Sequence, residues 1–320
     1  MQFLKNETNI DFLGKRKFAI GFSLVLVLAS IISLVAHGGP NYGIDFKGGT
    51  LVQLKFKEAA PIAEVREIVN SLKMGDYSIQ EFGSPMELIV RVPLVDEVKG
   101  GETQAQKVEN ALRAKFADKF SVERVEMVGP KVGSDLRWKA LMAVLYSLLG
   151  ILIYLAFRFE LRFAVGAVLA TIHDPLVIMG AFSILDKEFT LTVLAAVLTI
   201  IGYSLNDTIV VFDRIRENLK IKRGMPTLDL LNLSVNQTLS RTILTSVVTM
   251  IAVVALFFLG GEVIHDFAFA VIVGIVVGTY SSIYVASPII LYWEQISAKR
   301  KATTSAALAS AKPEKKNNKK

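Results

Sequence analysis

The sequence contains no cysteine and only three histidines. Without thiols, neither a disulfide framework nor a thiolate metal site can form. Gly48 and Gly49 stand beside a predicted strand, but the lysine motif of a phosphate-binding glycine loop is missing. Metal-ligand spacings and nucleophile arrangements are missing from the sequence as well. These absences predict a protein without enzymatic activity, cofactor or bound metal.

Long hydrophobic runs are abundant, since 52% of the 320 residues are hydrophobic. About 20 apolar residues in a helix cross a hydrocarbon layer of roughly 30 Å. The first run follows basic residues, as in a signal peptide, but it is long and no small-residue cleavage site precedes His37, which favours a retained anchor. We therefore predict a polytopic α-helical membrane protein with six transmembrane helices, at residues 17–36, 138–157, 163–185, 189–212, 241–259 and 267–292.

The positive charges indicate the orientation of these helices. The net charge is +7, and an excess of lysine and arginine marks cytoplasmic loops. We therefore predict cytoplasmic termini at 1–16 and 293–320, a segment outside the cytoplasm at 37–137, and no nucleic-acid partner. The lysine-rich tail is interpreted as disordered, with attraction to anionic lipid or the ribosome as the alternative. The charges lie, in order, at residues 5–17, at Arg158 and Arg162, at 214–223 and in the tail.

Residues 37–137 are long enough to form a small domain inserted between the first helix and the five-helix region 138–292. Alternating apolar residues predict strands, and apolar residues at helical spacing predict helices after Pro61 and from Glu102 to Asp118. The order βαββαβ is that of an α+β ferredoxin-like domain. Its exposed sheet edge offers strand addition to an extended peptide as an open alternative to a purely structural role. The predicted strands are 51–56, 77–82, 87–92 and 120–128.

Two of the charged residues inside predicted membrane helices, Asp207 and Arg241, lie on consecutive helices. Asp207 precedes the boundary at Arg214 by seven residues, which places it on the order of 10 Å inside the membrane at about 1.5 Å per residue. Arg241 lies at a comparable depth on the next, antiparallel helix, so we expect the two charges to face one another. A lone lipid-facing charge costs at least about 2.5 to 3.5 kcal/mol, so the pair requires a protein interior or a water-filled crevice.

Further polar residues accompany this pair. Gln237, Arg241 and Thr245 are spaced by four residues and form a polar stripe, while Asn206 and Asp213 share one face of the preceding helix. Two hypotheses remain open. In the first, a permanent ion pair fixes the helix register, and Asn206 completes its hydrogen bonds. In the second, the carboxylate exchanges protons during a cycle, as burial and the nearby arginine shift its pKa in opposite directions.

Another polar group lies in the third membrane helix, where His173 and Asp174 precede Pro175. A buried hydrogen-bonded pair is one interpretation, and an element of a proton relay is the other. The proline is expected to kink or interrupt the helix and to free a backbone carbonyl. In the last membrane helix, small residues at four-residue spacing indicate close helix packing: Ala270, Gly274, Gly278 and Ser282.

Six segments, in order and over residues 10 to 293, resemble the motifs of the SecF family, membrane subunits of bacterial protein export. One departure from the family pattern is Pro175, since an apolar β-branched residue usually follows the His-Asp pair. The matching segments are YGIDFKGGT (42–50), VGPKVGSDLRWKA (128–140), HDP (173–175), GYSLNDTIVVFDRIREN (202–218), QTLSRTILTS (237–246) and SSIYVASP (281–288).

The resemblance implies a protein of the bacterial inner membrane with six spans and a periplasmic ferredoxin-like domain. It implies pairing with SecD, association with the SecYEG channel, further partners in YajC and YidC, contact with membrane lipid, and work on unfolded preproteins driven by the proton gradient. It also implies that Asp207 and Arg241 take part in proton passage, together with a carboxylate supplied by SecD.

Two alternatives stand beside this hypothesis. A small-substrate proton antiporter of the resistance-nodulation-division type would need about twice the spans and paired large domains, so this chain would have to dimerise. A scaffold, in which Asp207 and Arg241 only hold helices together, would bind no proton.

Overall fold

The computed structural model describes residues 8–75, 77–93 and 103–310. The predicted start of a helix at Glu102 and parts of both predicted terminal segments lie outside these residues. In chain order, the elements are α1 (Arg16–Ala36), α2 (Ile44–Lys47), β1 (Gly49–Phe56), α3 (Ile62–Ser71), β2 (Ser78–Phe82), β3 (Ser84–Val92), α4 (Gln104–Phe116), β4 (Phe120–Val128), α5 (Pro130–Arg158), α6 (Leu161–Ile184), α7 (Leu191–Ile221), α8 (Thr227–Leu259), α9 (Glu262–Ser281) and α10 (Ser287–Ser310).

Six helical stretches within the described residues are long and apolar enough to cross a membrane. They confirm the predicted count. The sixth stretch, Val263–Ser297, combines α9, a π-helical turn at Ser282–Ala286 and the start of α10. Two helices extend well beyond the predicted apolar runs, because α7 continues to Ile221 and α8 already begins at Thr227. These extensions bury Ile215, Leu230 and Leu231, which join a core that also includes residues of the hydrophobic runs, such as Phe163 and Phe212.

The tail differs from its prediction. It was expected to be disordered from residue 293, but α10 continues as a helix to Ser310, so that expectation is wrong for residues 293–310. This stretch contains neither glycine nor proline and is rich in alanine, lysine and other good helix formers. Residues 311–320 lie outside the described part of the chain.

The inserted domain has the predicted ferredoxin-like topology. The sheet formed by the described strands has the order β2-β3-β1-β4, and its neighbouring strands are antiparallel. Thr103 begins α4 with a capping box, in which its side chain accepts from Gln106 N and the Gln106 side chain accepts from Thr103 N. Helices α3 and α4 cover one face of the sheet. Their shared core includes Val52, Leu54, Val65, Val69, Leu88, Val90, Val108 and Leu112.

The domain contacts the membrane helices through α2 and the loop between α6 and α7. Phe46 of α2 stacks on Phe189 of this loop, with ring centroids 5.9 Å apart. Arg91 of β3 forms an ion pair with Glu188, at 3.1 Å between Nε and Oε2. Burial lowers the pKa of Arg91, and burial also raises the pKa of Glu188 against the attraction of the arginine. Asp45 Oδ2 accepts a hydrogen bond from Leu191 N at the start of α7, at 2.9 Å.

Helices α1 and α6 run parallel and approach closely. A Cβ placed on Gly180 of α6 would lie 1.9 Å from Ser30 Oγ of α1, so only glycine fits at this crossing. Ser33 Oγ and Ser183 Oγ are 2.8 Å apart further along the same contact. Pro175 lies inside α6, which nevertheless continues from Leu161 to Ile184. The predicted interruption of this helix is therefore not found.

Candidate functional site in the helix bundle

Asp207 lies in the middle of α7 and is 5% exposed. Its Oδ1 accepts a hydrogen bond from Thr242 Oγ1 of α8, at 3.2 Å. Its Oδ2 is buried and has no hydrogen-bond partner among the described residues. A buried carboxylate with one oxygen that accepts no hydrogen bond is costly in its charged form, and chemically this oxygen can accept a proton or a hydrogen bond.

Arg241 does not form the expected ion pair with Asp207. Arg241 is exposed, and no salt bridge joins it to Asp207 among the described residues. It is nevertheless close enough to attract the carboxylate electrostatically. Successive residues of a helix point about 100° apart. Because Thr242 faces Asp207, Arg241 is turned toward the outside of α8. Its backbone carbonyl accepts a hydrogen bond from Thr245 Oγ1, at 3.1 Å.

Asn206 is likewise exposed, on α7, although its neighbour Asp207 is buried. It therefore does not complete the hydrogen bonds of the carboxylate, as one hypothesis expected. Asn206 and Arg241 give neighbouring membrane helices polar groups on their outer surface. Polar side chains in lipid are expensive and usually face protein or water.

The His173-Asp174 pair forms a second polar group in the bundle. Asp174 is fully buried and His173 is 6% exposed. Asp174 Oδ1 lies 2.9 Å from His173 Nδ1, and its Oδ2 accepts hydrogen bonds from the hydroxyl groups of Ser204 on α7 and Ser281 on α9. The pair is thus a hydrogen-bonded element that ties three helices together.

Hydroxyl groups line the contacts between the helices that carry the two acidic groups. Ser204 precedes Asp207 by three residues on α7, so the helix presents both to the same side. Thr208 Oγ1 lies 2.8 Å from Ser282 Oγ, at the start of the π-helical turn. A Cβ on Gly278 would lie 2.9 Å from Ser204 Cβ. The small-residue spacing of the last membrane helix therefore permits the close approach of α9 to α7.

Two other predicted residues lie away from this centre. Asp213 forms an ion pair with Arg158 at the end of α5, at 2.9 Å from Nη2 to Oδ1. Gln237 Oε1 accepts a hydrogen bond from Asn218 Nδ2, at 2.8 Å. Both contacts join helices at one end of the bundle, and neither reaches Asp207.

Sequence reasoning missed the hydroxyl groups that surround the carboxylates. Ser204 and Thr208 were recognisable by their spacing from Asp207, and Thr242 by its place beside Arg241. Ser281 carried no such signal, since its role depends on how α9 packs on α6. Among the described residues, no group of three or more histidine, aspartate or glutamate side chains is arranged to hold a metal ion.

Helices that cross the membrane, an inserted ferredoxin-like domain and a buried carboxylate centre define a class of polytopic membrane proteins. Two family models match the chain: "Protein export membrane protein SecD/SecF, C-terminal" at residues 107–296 and "SecD/SecF GG Motif" at residues 33–60. The chain belongs to the SecD/SecF protein-export family.

Relatives and solved structures agree with this assignment. The protein translocase subunit SecF of Calditerrivibrio nitroreducens is 49% identical over 91% of this chain and 96% of its own length. That of Magnetococcus marinus is 49% identical over 96% of this chain and 99% of its own. The crystal structure of SecDF from Thermus thermophilus, described as a translocon-associated membrane protein, matches with a TM-score of 0.80 and 40% identity over 92% of this chain.

The chain spans only 40% of that SecDF chain. A SecDF crystal structure in a super-membrane-facing form matches with a TM-score of 0.70 and 38% identity. These findings identify the chain as a membrane component of protein export and a multi-pass protein of the bacterial inner membrane. They favour this function over that of a small-substrate exporter.

Proposed function

We propose that this chain uses the proton gradient, together with a SecD-type chain, to promote late steps of protein export. The observation that carries the proton role is the buried Asp207, whose Oδ2 has no partner within the described residues. Binding a proton removes the cost of a buried charge, and about 2.3 kcal/mol is available per charge for each 100 mV of membrane potential.

The partner chain completes the site in this proposal. Arg241 and Asn206 are exposed on α8 and α7, where a partner helix would cover them and bring a carboxylate to the arginine. The fit of this chain onto 40% of a SecDF chain supports such a pairing. When the partner's carboxylate holds Arg241, Asp207 is free to bind a proton; when Arg241 turns toward Asp207, the proton is released.

The proposed orientation places both termini in the cytoplasm and residues 37–137 in the periplasm. Arg158 and Arg162 lie at the α5–α6 turn, at the end of the bundle away from the inserted domain. This is the distribution expected of cytoplasmic loops. The other expected partners are the SecYEG channel, YajC, YidC, membrane lipid and the unfolded preprotein.

The test is gradient-dependent export by membrane vesicles that contain the variant chain, its SecD partner and the Sec channel. Asp207→Asn keeps the acceptor oxygen for Thr242 but cannot exchange a proton. We expect export to lose its stimulation by the proton gradient. Asp213→Asn, which alters the carboxylate bound to Arg158, is the matched control and should keep it. Unchanged stimulation in the Asp207 variant would remove the proton role.

A further inference from the structure

One buried polar atom of α1, Ser23 Oγ, and one of α6, His173 Nε2, have no hydrogen-bond partner among the described residues. Both residues are 6% exposed. Buried polar atoms in folded proteins are nearly always bonded to protein or to ordered water. His173 uses its other nitrogen, Nδ1, to contact Asp174. Each orphan atom therefore calls for a ligand that donates and accepts hydrogen bonds.

The two atoms lie on facing stripes of the parallel helices. Ser33 and Ser183, which touch, are separated by 150 residues, and Ser30 and Gly180 touch at the same separation. Ser23 precedes Ser30 by seven residues, and His173 precedes Gly180 by seven. Seven residues make about two helical turns and return to the same face. Ser23 is therefore placed opposite His173.

One end of this contact opens at the domain side of the bundle. His37 is exposed there, and its Nδ1 lies 2.8 Å from Ser33 O and 3.4 Å from Ser183 Oγ. The other end is closed by Asp174, which Ser204 and Ser281 also contact. The α1 hydroxyl groups of Ser33, Ser30 and Ser23 are thus distributed between the exposed His37 and the buried Asp174.

We infer that the α1–α6 contact binds ordered water beside Ser23 and His173, and that this water and the serine hydroxyls form a proton path from the domain end of the bundle. The proton path rests on the proposed function, whereas the water site does not depend on it.

Radiolytic hydroxyl labelling of the full-length chain in lipid nanodiscs tests the water site, since bound water generates the label beside it. We expect His173 to be labelled in the unaltered chain and in Ser23→Ala, which leaves room for water. Ser23→Val fills that space, and labelling of His173 should be lost. Val25→Leu, on the exposed side of α1, is the control and should keep the label.

Absence of His173 labelling in the unaltered chain would overturn the inference, as would equal labelling in Ser23→Val. Thermal unfolding of Ser23→Val alongside Val25→Leu verifies that lost labelling does not reflect a lost fold. The outcome is separate from that of the Asp207→Asn experiment. If export loses its gradient stimulation in that variant while His173 is never labelled, the proposed function stands and only the water site fails.

Discussion

Thr242, rather than Arg241, is the residue of α8 that contacts Asp207, with its Oγ1 3.2 Å from Oδ1. Arg241 precedes Thr242 by one residue, so its side chain points about 100° away from Asp207, toward the outer surface of α8. The carboxylate therefore has a neutral hydrogen-bond partner inside the chain, while Arg241 is exposed on the surface of α8.

Removing this hydroxyl group is predicted to destabilise the bundle. Thr242→Val keeps the shape of the side chain but leaves both oxygens of Asp207 without a partner in the described chain, at a cost of about 1 to 3 kcal/mol. Thr242→Ser retains the donor and should stay close to the original stability. Thermal unfolding in nanodiscs, followed by tryptophan fluorescence, compares the two. Equal stability of both variants would show that the hydrogen bond contributes nothing.

Exchanging the charges tests the scaffold hypothesis. In the double variant Asp207→Arg with Arg241→Asp, a permanent ion pair would survive in reverse. Because the structure has no such pair, we expect the swap to bury an unpaired arginine and to abolish gradient-dependent export in vesicles. Arg241→Lys, which keeps the charge, serves as the control. Export at the original level in the swapped chain would support the scaffold.

The contact of α1 and α6 is predicted to depend on Gly180. An added methyl group meets Ser30 Oγ at 1.9 Å, and overpacking of this kind costs about 1 to 3 kcal/mol. Gly180→Ala should therefore lower the unfolding temperature in nanodiscs. Gly150→Ala of α5 meets nothing within 4 Å and should leave it unchanged or raise it. A tolerated alanine at position 180 would mean that α1 is loosely held.

The contact between the domain and the membrane helices is predicted to weaken as the pH rises. Burial raises the pKa of Glu188 above its ordinary value of 4.5, so the folded state binds the proton more tightly than the unfolded one. Its contribution to stability is complete below the unfolded pKa and is lost as the pH rises through the folded pKa.

Glu188→Gln removes this titration. The amide of the variant stays neutral at every pH, so its unfolding temperature should fall less than that of the original chain as the pH rises above about 4.5. Glu58→Gln, on the exposed surface, should keep the original slope. Identical slopes in the Glu188 variant and the original chain would contradict the prediction.

Hydropathy and strand or helix periodicity were sufficient to predict the six spans and the ferredoxin-like domain, because both signals repeat over many residues. Depth along a helix also identified Asp207 as buried. The direction in which the Arg241 side chain points was not predictable. Rotating α8 by one residue position, about 100°, would point this side chain toward Asp207, and only the packing of the helices decides the rotation. Ser281 was missed because a hydroxyl group is nearly neutral in hydropathy, so its role becomes visible only when α9 packs against Asp174.

The hydrogen bond from Leu191 N to Asp45 links the inserted domain directly to α7, the helix that carries Asp207. Asp45 accepts a hydrogen bond from Leu191 in the first turn of α7. Asp207 follows Leu191 by sixteen residues on the same helix, about 24 Å away at about 1.5 Å per residue. Any movement of α7 along its axis therefore also displaces the Asp45 contact, so a single continuous helix joins the buried carboxylate to the domain.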